Sequence, residues 1–152
     1  MAQDFNKALN YAFLLLKYRP RSEKEIAGRL KKKRFTPGTQ KEVLAYLSAN
    51  GYINDTAFAR LFVASSLCKG WGRFKIESVL KSFGIKENIL KLALCDKEAF
   101  RQRLRELIEK RITFYSGKKN AYAKIVRYLA SRGFSYSEII RGLEDLEIYE
   151  NK

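Results

Sequence analysis

Three clusters of cations are the residues best equipped to do chemistry in this chain. They are Lys31-Lys32-Lys33-Arg34, then Lys69, Arg73 and Lys75, then Lys118-Lys119 with Lys124 and Arg127. Lysine and arginine sets of this kind neutralise phosphates and release their counterions, which gives affinity that falls with salt. Trp71 stands between Gly70 and Gly72, with Lys69 and Arg73 beside them. An indole in such a turn either stacks on a base or packs over the junction between repeats, and the second is the expectation. Tyr115, Tyr122 and Tyr128 lie close to basic residues, whereas most other Phe and Tyr residues fall at helical core spacing and are expected inside.

The composition agrees with binding and argues against catalysis. Lys and Arg number 31 against 16 Asp and Glu, a formal charge of +15. Such an excess repels itself in a folded chain and makes sense when the partner is a polyanion. Histidine is absent, which removes the commonest general base and metal ligand. There is no phosphate-cradling G-x-x-x-x-G-K-[ST], and Gly70-Trp71-Gly72 is too short to be a dinucleotide fingerprint. No enzyme activity, cofactor or metal is expected. Cys68 and Cys95 form no C-x-x-C pair and sit in apolar helical pattern, so buried free thiols in a reducing cytoplasm are expected. Met1-Ala2-Gln3-Asp4 does not begin a signal peptide, and no apolar run approaches the ~20 residues of a membrane span.

The elements that must position the cations repeat three times. Ile26 and Leu30, Ile76 and Leu80, and Ile125 and Leu129 are each four residues apart, and Phe35, Ile85 and Phe134 follow nine residues after each Ile. Thirteen residues before each Ile stand Phe13, Val63 and Ile112, and seventeen before stand Leu9, Ala59 and Ile108. Further on come Val43-Leu44-x-x-Leu47, Ile89-Leu90-x-x-Ala93 and Ile139-Ile140-x-x-Leu143. Spacings of four place residues on one face of a helix. Each copy therefore reads as three helices, and the fold expected is all-α: three tandem three-helix repeats in an elongated, curved, solenoid-like arrangement.

The punctuation supports these helices. Ser22 with Glu25, and Ser135 with Glu138, are capping boxes, and Thr36-Pro37 is a cap followed by a first-turn proline. Gly51, Gly84 and Gly133 stand at helix stops, and Arg34 occupies the same place without glycine. Repeats of residues 1–52, 53–95 and 96–152 follow, carrying 11, 7 and 13 basic against 4, 3 and 9 acidic side chains. The third count includes an acidic tail of Glu144, Asp145, Glu147 and Glu150. Modules this small bury little surface alone, and their short linkers require neighbours to touch. A compact chain of this length has a radius of gyration near ~15 Å, and the row of repeats is expected to exceed it in solution. Since each cation cluster lies in or beside the middle helix of its repeat, a basic stripe across the three is expected.

Particular residues also resemble a known family. Tyr11-Ala12-x-x-Leu15-Leu16 followed by Arg19-Pro20-Arg21-Ser22-x-x-Glu25 is similar to the opening of RecX proteins. So is Tyr52-Ile53-Asn54-Asp55-x-x-Phe58-Ala59-Arg60, leading into Lys69-Gly70-x-Gly72-x-x-x-Ile76-x-x-x-Leu80-x-x-x-Gly84-Ile85. The likeness spans nearly the whole chain and departs at Leu67-Cys68, where the family is often more basic.

The resemblance implies a bacterial modulator of the RecA recombinase, acting in homologous recombination, DNA repair and the SOS response. Its partners would be the RecA filament and single-stranded DNA, bound directly or through that filament. It implies that Tyr52, Asp55, Phe58, Ala59, Ile76, Leu80, Gly84 and Ile85 are mainly structural, and that Arg60, Lys69, Arg73 and Lys75 face the filament. Lys31, Lys32, Lys33, Arg34, Lys118, Lys119, Lys124 and Arg127 complete the expected binding set. A cytoplasmic monomer with no membrane attachment is expected. Two other readings stay open: a sequence-tolerant nucleic-acid module without a recombinase, and a scaffold for an acidic protein.

Overall fold

The computed structural model describes residues 2–149, among which there are nine α-helices and no strand. The first repeat holds α1 (Ala2–Tyr18), α2 (Glu23–Lys32) and α3 (Pro37–Ala49). The second holds α4 (Asp55–Cys68), α5 (Arg73–Ser82) and α6 (Glu87–Ala93), and the third α7 (Lys97–Tyr115), α8 (Ala121–Ser131) and α9 (Tyr136–Asp145). Glu150 lies outside the described residues.

Local chemistry sets the helix ends. Ser22 Oγ accepts the Glu25 amide at 3.2 Å while Glu25 accepts the Ser22 amide at 3.1 Å, closing the box on α2. Ser135 and Glu138 do the same on α9 at 3.2 and 2.8 Å. Thr36 and Asp96 accept from the Thr39 and Ala99 amides and open α3 and α7. Each bond satisfies one of the amides a helix start leaves orphaned. Gly84 and Gly133 stop α5 and α8 at φ +76° and +94°. Arg34 adopts φ +64° at the matching stop of α2, a left-handed conformation that costs a side-chain-bearing residue about 1–2 kcal/mol.

The repeat columns become the cores. Ile26, Leu30, Ile76, Leu80, Ile125 and Leu129 are all enclosed. Around them, Ala8, Ala12, Val43 and Leu47 fill the first bundle, and Leu104, Ile108, Ile139 and Leu143 fill the third. Truncating any one of the large members to Ala costs about 2–5 kcal/mol. One column differs from the sequence reading. Here the enclosed pair is Leu90, on α6, and Leu94, in the turn just past its end, with Ile89 and Ala93 only half-buried. Leu90 and Leu94 follow Ile85 at the intervals by which Ile139 and Leu143 follow Phe134, so α6 copies α9 when shifted by one residue. The short α6 leaves Ile89 and Leu90 both apolar, and only helix rotation selects between them.

By packing, the chain divides into two compact units. One holds the residues up to Leu61 together with Leu80–Leu90; the other holds Phe62–Val79 together with the residues from Lys91 on. The middle repeat contributes to both. In the first unit the stop of α5 meets the start of α2. Ser22, fully enclosed, donates its hydroxyl to the Phe83 carbonyl at 2.7 Å. A Cβ on Gly84 would collide with the Lys24 side chain. Asp55, at the start of α4, accepts the Glu23 amide at 3.0 Å, and Phe58 lies edge-on to Phe83 with ring centres 5.6 Å apart.

The second unit contains the same kind of joint between α8 and α5. The Gly72 amide donates to the Arg132 carbonyl at 2.7 Å, and the Phe74 amide to the Gly133 carbonyl at 3.1 Å. A Cβ on Gly72 would strike the Gly133 carbonyl, and one on Gly133 would strike the Lys75 backbone. The helix-stop glycines thus serve twice, as left-handed residues and as surfaces flat enough for a neighbouring helix start. Arg103 adds a third tie in this unit: it donates to the Leu67 and Cys68 carbonyls, both at 2.9 Å, and closes the end of α4.

Two sequence expectations are corrected. Cys68 and Cys95 are free but exposed rather than buried. Cys68 is the last residue of α4 and Cys95 follows Leu94, the last enclosed residue of its segment, so both fall where the helical face runs out. The aromatic rings are also divided. Phe58, Phe100 and Phe134 are enclosed and Phe5, Tyr11, Phe13 and Phe35 pack half-buried against the first core, but Tyr18, Tyr46, Tyr52, Phe74, Phe114, Tyr136 and Tyr149 are exposed. Aliphatic side chains fill the middles of these small bundles, which leaves rings to cover the edges.

Candidate nucleic-acid interface

In the first unit the expected cations gather where α2 ends. Lys31 and Lys32 are in the last turn of the helix and Lys33 and Arg34 in the stop beyond it, and all four are exposed. Cations there complement the negative end of the helix dipole, which gives them a structural reason beside any binding role. Lys33 holds its ammonium 5.3 Å from the Tyr11 ring centre. Arg60 is exposed on α4. Among the expected motif residues, Phe58, Ala59, Leu80 and Ile85 are enclosed here. Tyr52 is half open to solvent, though its ring lies edge-on to Phe13 at 4.8 Å.

In the second unit Lys69 and Lys75 converge on one ring. Trp71 is half-buried, edge-on to Phe62 with ring centres 6.2 Å apart. The Lys75 ammonium sits 4.3 Å above the indole and that of Lys69 6.0 Å away. The indole therefore packs on α4 of its own repeat. Arg73, at the start of α5, is half-buried and opens onto a cleft of about 460 Å³ that Arg101, Arg105 and Arg141 also line.

The third cluster is larger than its sequence suggests. Lys118 and Lys119 are exposed in the turn before α8, and Lys124 and Arg127 are exposed on it. Lys118 lies 4.0 Å from the Phe114 ring centre and 5.5 Å from that of Tyr115, and Lys124 lies 5.9 Å from Tyr115. Two arginines join them. Arg111 stacks 3.7 Å over the Tyr128 ring and reaches Phe114 at 5.5 Å; Arg132 lies 5.3 Å from Tyr128 on the other helix end. Burial pushes the Tyr128 hydroxyl up, but hydrogen bonds and charge from Arg132 and Arg111 outweigh it and hold the phenol below its ordinary ionisation range. Arg111, Arg132 and Phe114 were not legible as site residues. The one signal available was the spacing of Tyr128 and Arg132, one helical turn apart.

Two family models place the chain. The RecX first three-helix domain matches residues 8–47, and the RecX third three-helix domain matches residues 100–143. The chain belongs to the RecX family. It is 31% identical over 144 residues to the regulatory protein RecX of Prosthecochloris aestuarii, covering 94% of this chain and 95% of that one. To the regulatory protein RecX of Streptococcus gordonii it is 29% identical across 97% of its own length, but it spans only 58% of that protein. The crystal structure of RecX from Lactobacillus salivarius superposes with a TM-score of 0.86 at 28% identity, over 97% of this chain and 99% of that one. The all-helical repeat fold is thus that of the family, and the role is regulatory. Among the described residues no helix is long and apolar enough to cross a membrane, and no group of side chains is arranged to hold a metal ion.

Proposed function

We propose that this protein is a negative modulator of the RecA recombinase. It binds the filament of recombinase on single-stranded DNA along its groove and limits extension, ATP hydrolysis, strand exchange and SOS co-protease activity. The observation that carries this reading is the likeness, over nearly the whole chain, to proteins named regulatory protein RecX. The chemistry is supplied by exposed cations: Lys31–Arg34 and Arg60 in one unit, Lys69, Lys118, Lys119, Lys124 and Arg127 in the other. Many modest contacts spread over the repeats of residues 1–52, 53–95 and 96–152 add up to tight, salt-dependent binding. In this reading the chain works without catalysis, as a cytoplasmic monomer acting in recombination and repair.

The test is recombinase ATP hydrolysis on single-stranded DNA with the protein added substoichiometrically at moderate salt. Inhibition is expected, and an unchanged rate refutes the reading. A second reading, a sequence-tolerant nucleic-acid module with no recombinase partner, draws support from the aromatic and cationic side chains gathered around Tyr128. Affinity for naked DNA equal to or above that for the filament favours it.

A further inference from the structure

We infer that the end of α7, the turn after it and α8 form a single-stranded DNA site of their own, with Phe114 as stacking platform and Arg111, Lys118, Lys124 and Arg132 as phosphate contacts. This deepens the filament reading and rests on it, since it says which part of the protein touches the nucleic acid directly.

The first support is composition in space. Phe114 is 56% exposed, and Tyr115 stands edge-on to it with ring centres 4.9 Å apart. Four cations surround these rings and Tyr128, at 3.7 to 5.9 Å from ring centres. None of the four forms an ion pair among the described residues. Uncompensated charge beside an open aromatic face is the pairing that single strands use, because phosphate and base are offered together at each nucleotide.

The second support is that the repeat does not need these side chains. Aligned through Ile76 and Ile125, the second repeat carries Phe62, Ser65, Ser66, Val79 and Phe83 where the third carries Arg111, Phe114, Tyr115, Tyr128 and Arg132. The same three-helix bundle is therefore built without them. Lys69 and Lys75 do match Lys118 and Lys124, so the lysines are shared and the aromatic and guanidinium groups are added. Lys118 rests over Phe114. Cation–π attraction at an exposed ring is weak, so this flexible ammonium can turn to a phosphate and leave the ring to a base.

The occupant is distinguished from a generic polyanion by its bases. The experiment is fluorescence anisotropy of this 152-residue chain with a fluorescein-labelled thymidine oligonucleotide, without recombinase, across a salt series. An abasic oligonucleotide of equal length is run beside it. Phe114→Ala is expected to weaken thymidine binding about tenfold with no change in salt slope. Phe114→Leu, which keeps apolar bulk, is expected to weaken it comparably. Arg111→Gln is expected to flatten the salt slope by about 0.7. Tyr136→Ala removes a similarly exposed ring on α9 and is expected to leave affinity unchanged.

The inference is overturned by wild-type binding to the abasic strand as tight as to thymidine, or by wild-type failure to bind naked DNA. Equal affinities of Phe114→Leu and wild type, or equal losses in the Phe114 and Tyr136 variants, overturn it too. Recombinase inhibition is measured on the same preparations. Inhibition without base-dependent binding discards the site and keeps the filament reading, whereas base-dependent binding without inhibition does the reverse.

Discussion

Replacing Ser22 by alanine isolates the joint between α2 and the stop of α5. The hydroxyl is fully enclosed and serves two groups: it accepts from the Glu25 amide at 3.2 Å and donates to the Phe83 carbonyl at 2.7 Å. Loss of the cap bond alone costs about 1 kcal/mol. Loss of the second bond, at a place closed to water, adds about 1–2 kcal/mol. The total expected is about 2–3 kcal/mol. Ser135 provides the internal reference, because it forms the same capping box while, among the described residues, its hydroxyl otherwise meets only the Ser137 hydroxyl. Ser135→Ala should therefore cost only about 1 kcal/mol.

Urea unfolding followed by circular dichroism compares the two variants. Since the chain has two compact units, amide exchange supplies a local reading as well. The Ile85 amide, bonded to the Leu80 carbonyl at 3.2 Å in the α5 stop, should exchange faster in Ser22→Ala and not in Ser135→Ala. Ser22→Thr, which keeps a hydroxyl, should recover most of the loss. Destabilisation of the two alanine variants within about 0.5 kcal/mol of each other, with Ile85 exchange unaffected, would refute the double role.

Four further outcomes follow. Arg34→Gly relieves a left-handed side-chain-bearing residue and should raise stability by about 0.5–1 kcal/mol by urea unfolding; a loss would mean that the Arg34 side chain stabilises the fold by more than its backbone costs. Gly72→Ala forces a methyl against the Gly133 carbonyl and should lower the melting temperature by several degrees, whereas Gly28→Ala, on the open face of α2, should not; equal behaviour of the two contradicts the close approach. Tyr128 should ionise below the ordinary tyrosine range in an ultraviolet absorbance titration, and Tyr128→Phe should abolish that low step. Because the folded phenol binds its proton less tightly than the unfolded one, its stabilisation is present in full above the ordinary tyrosine range near ~10 and is lost as pH falls through the lowered value. Changing Lys31, Lys32 and Lys33 together to Glu should weaken filament binding while leaving the helical circular dichroism intact, these side chains all being exposed; undiminished binding places the contact elsewhere.

What the sequence determined by itself is what short-range physics decides. The capping boxes at Ser22 and Ser135, the proline start of α3 and the stops at Gly51, Gly84 and Gly133 were legible because each involves partners a few residues apart. The Ile and Leu columns were legible because helical period and burial coincide at Ile26, Leu30, Ile76, Leu80, Ile125 and Leu129. The shift to Leu90 and Leu94 was not, since a short helix with adjacent apolar residues takes its rotation from what it packs against. Nor was the exposure of Cys68 and Cys95, which depends on where a neighbouring surface ends. Tertiary structure alone supplied the bond from Ser22 to Phe83, the second duty of Gly84 and Gly133, and the docking of Arg111 onto the Tyr128 ring. Those contacts join groups far apart in the chain, so their geometry exists only once separate helices have docked, and no local pattern of residue types encodes it.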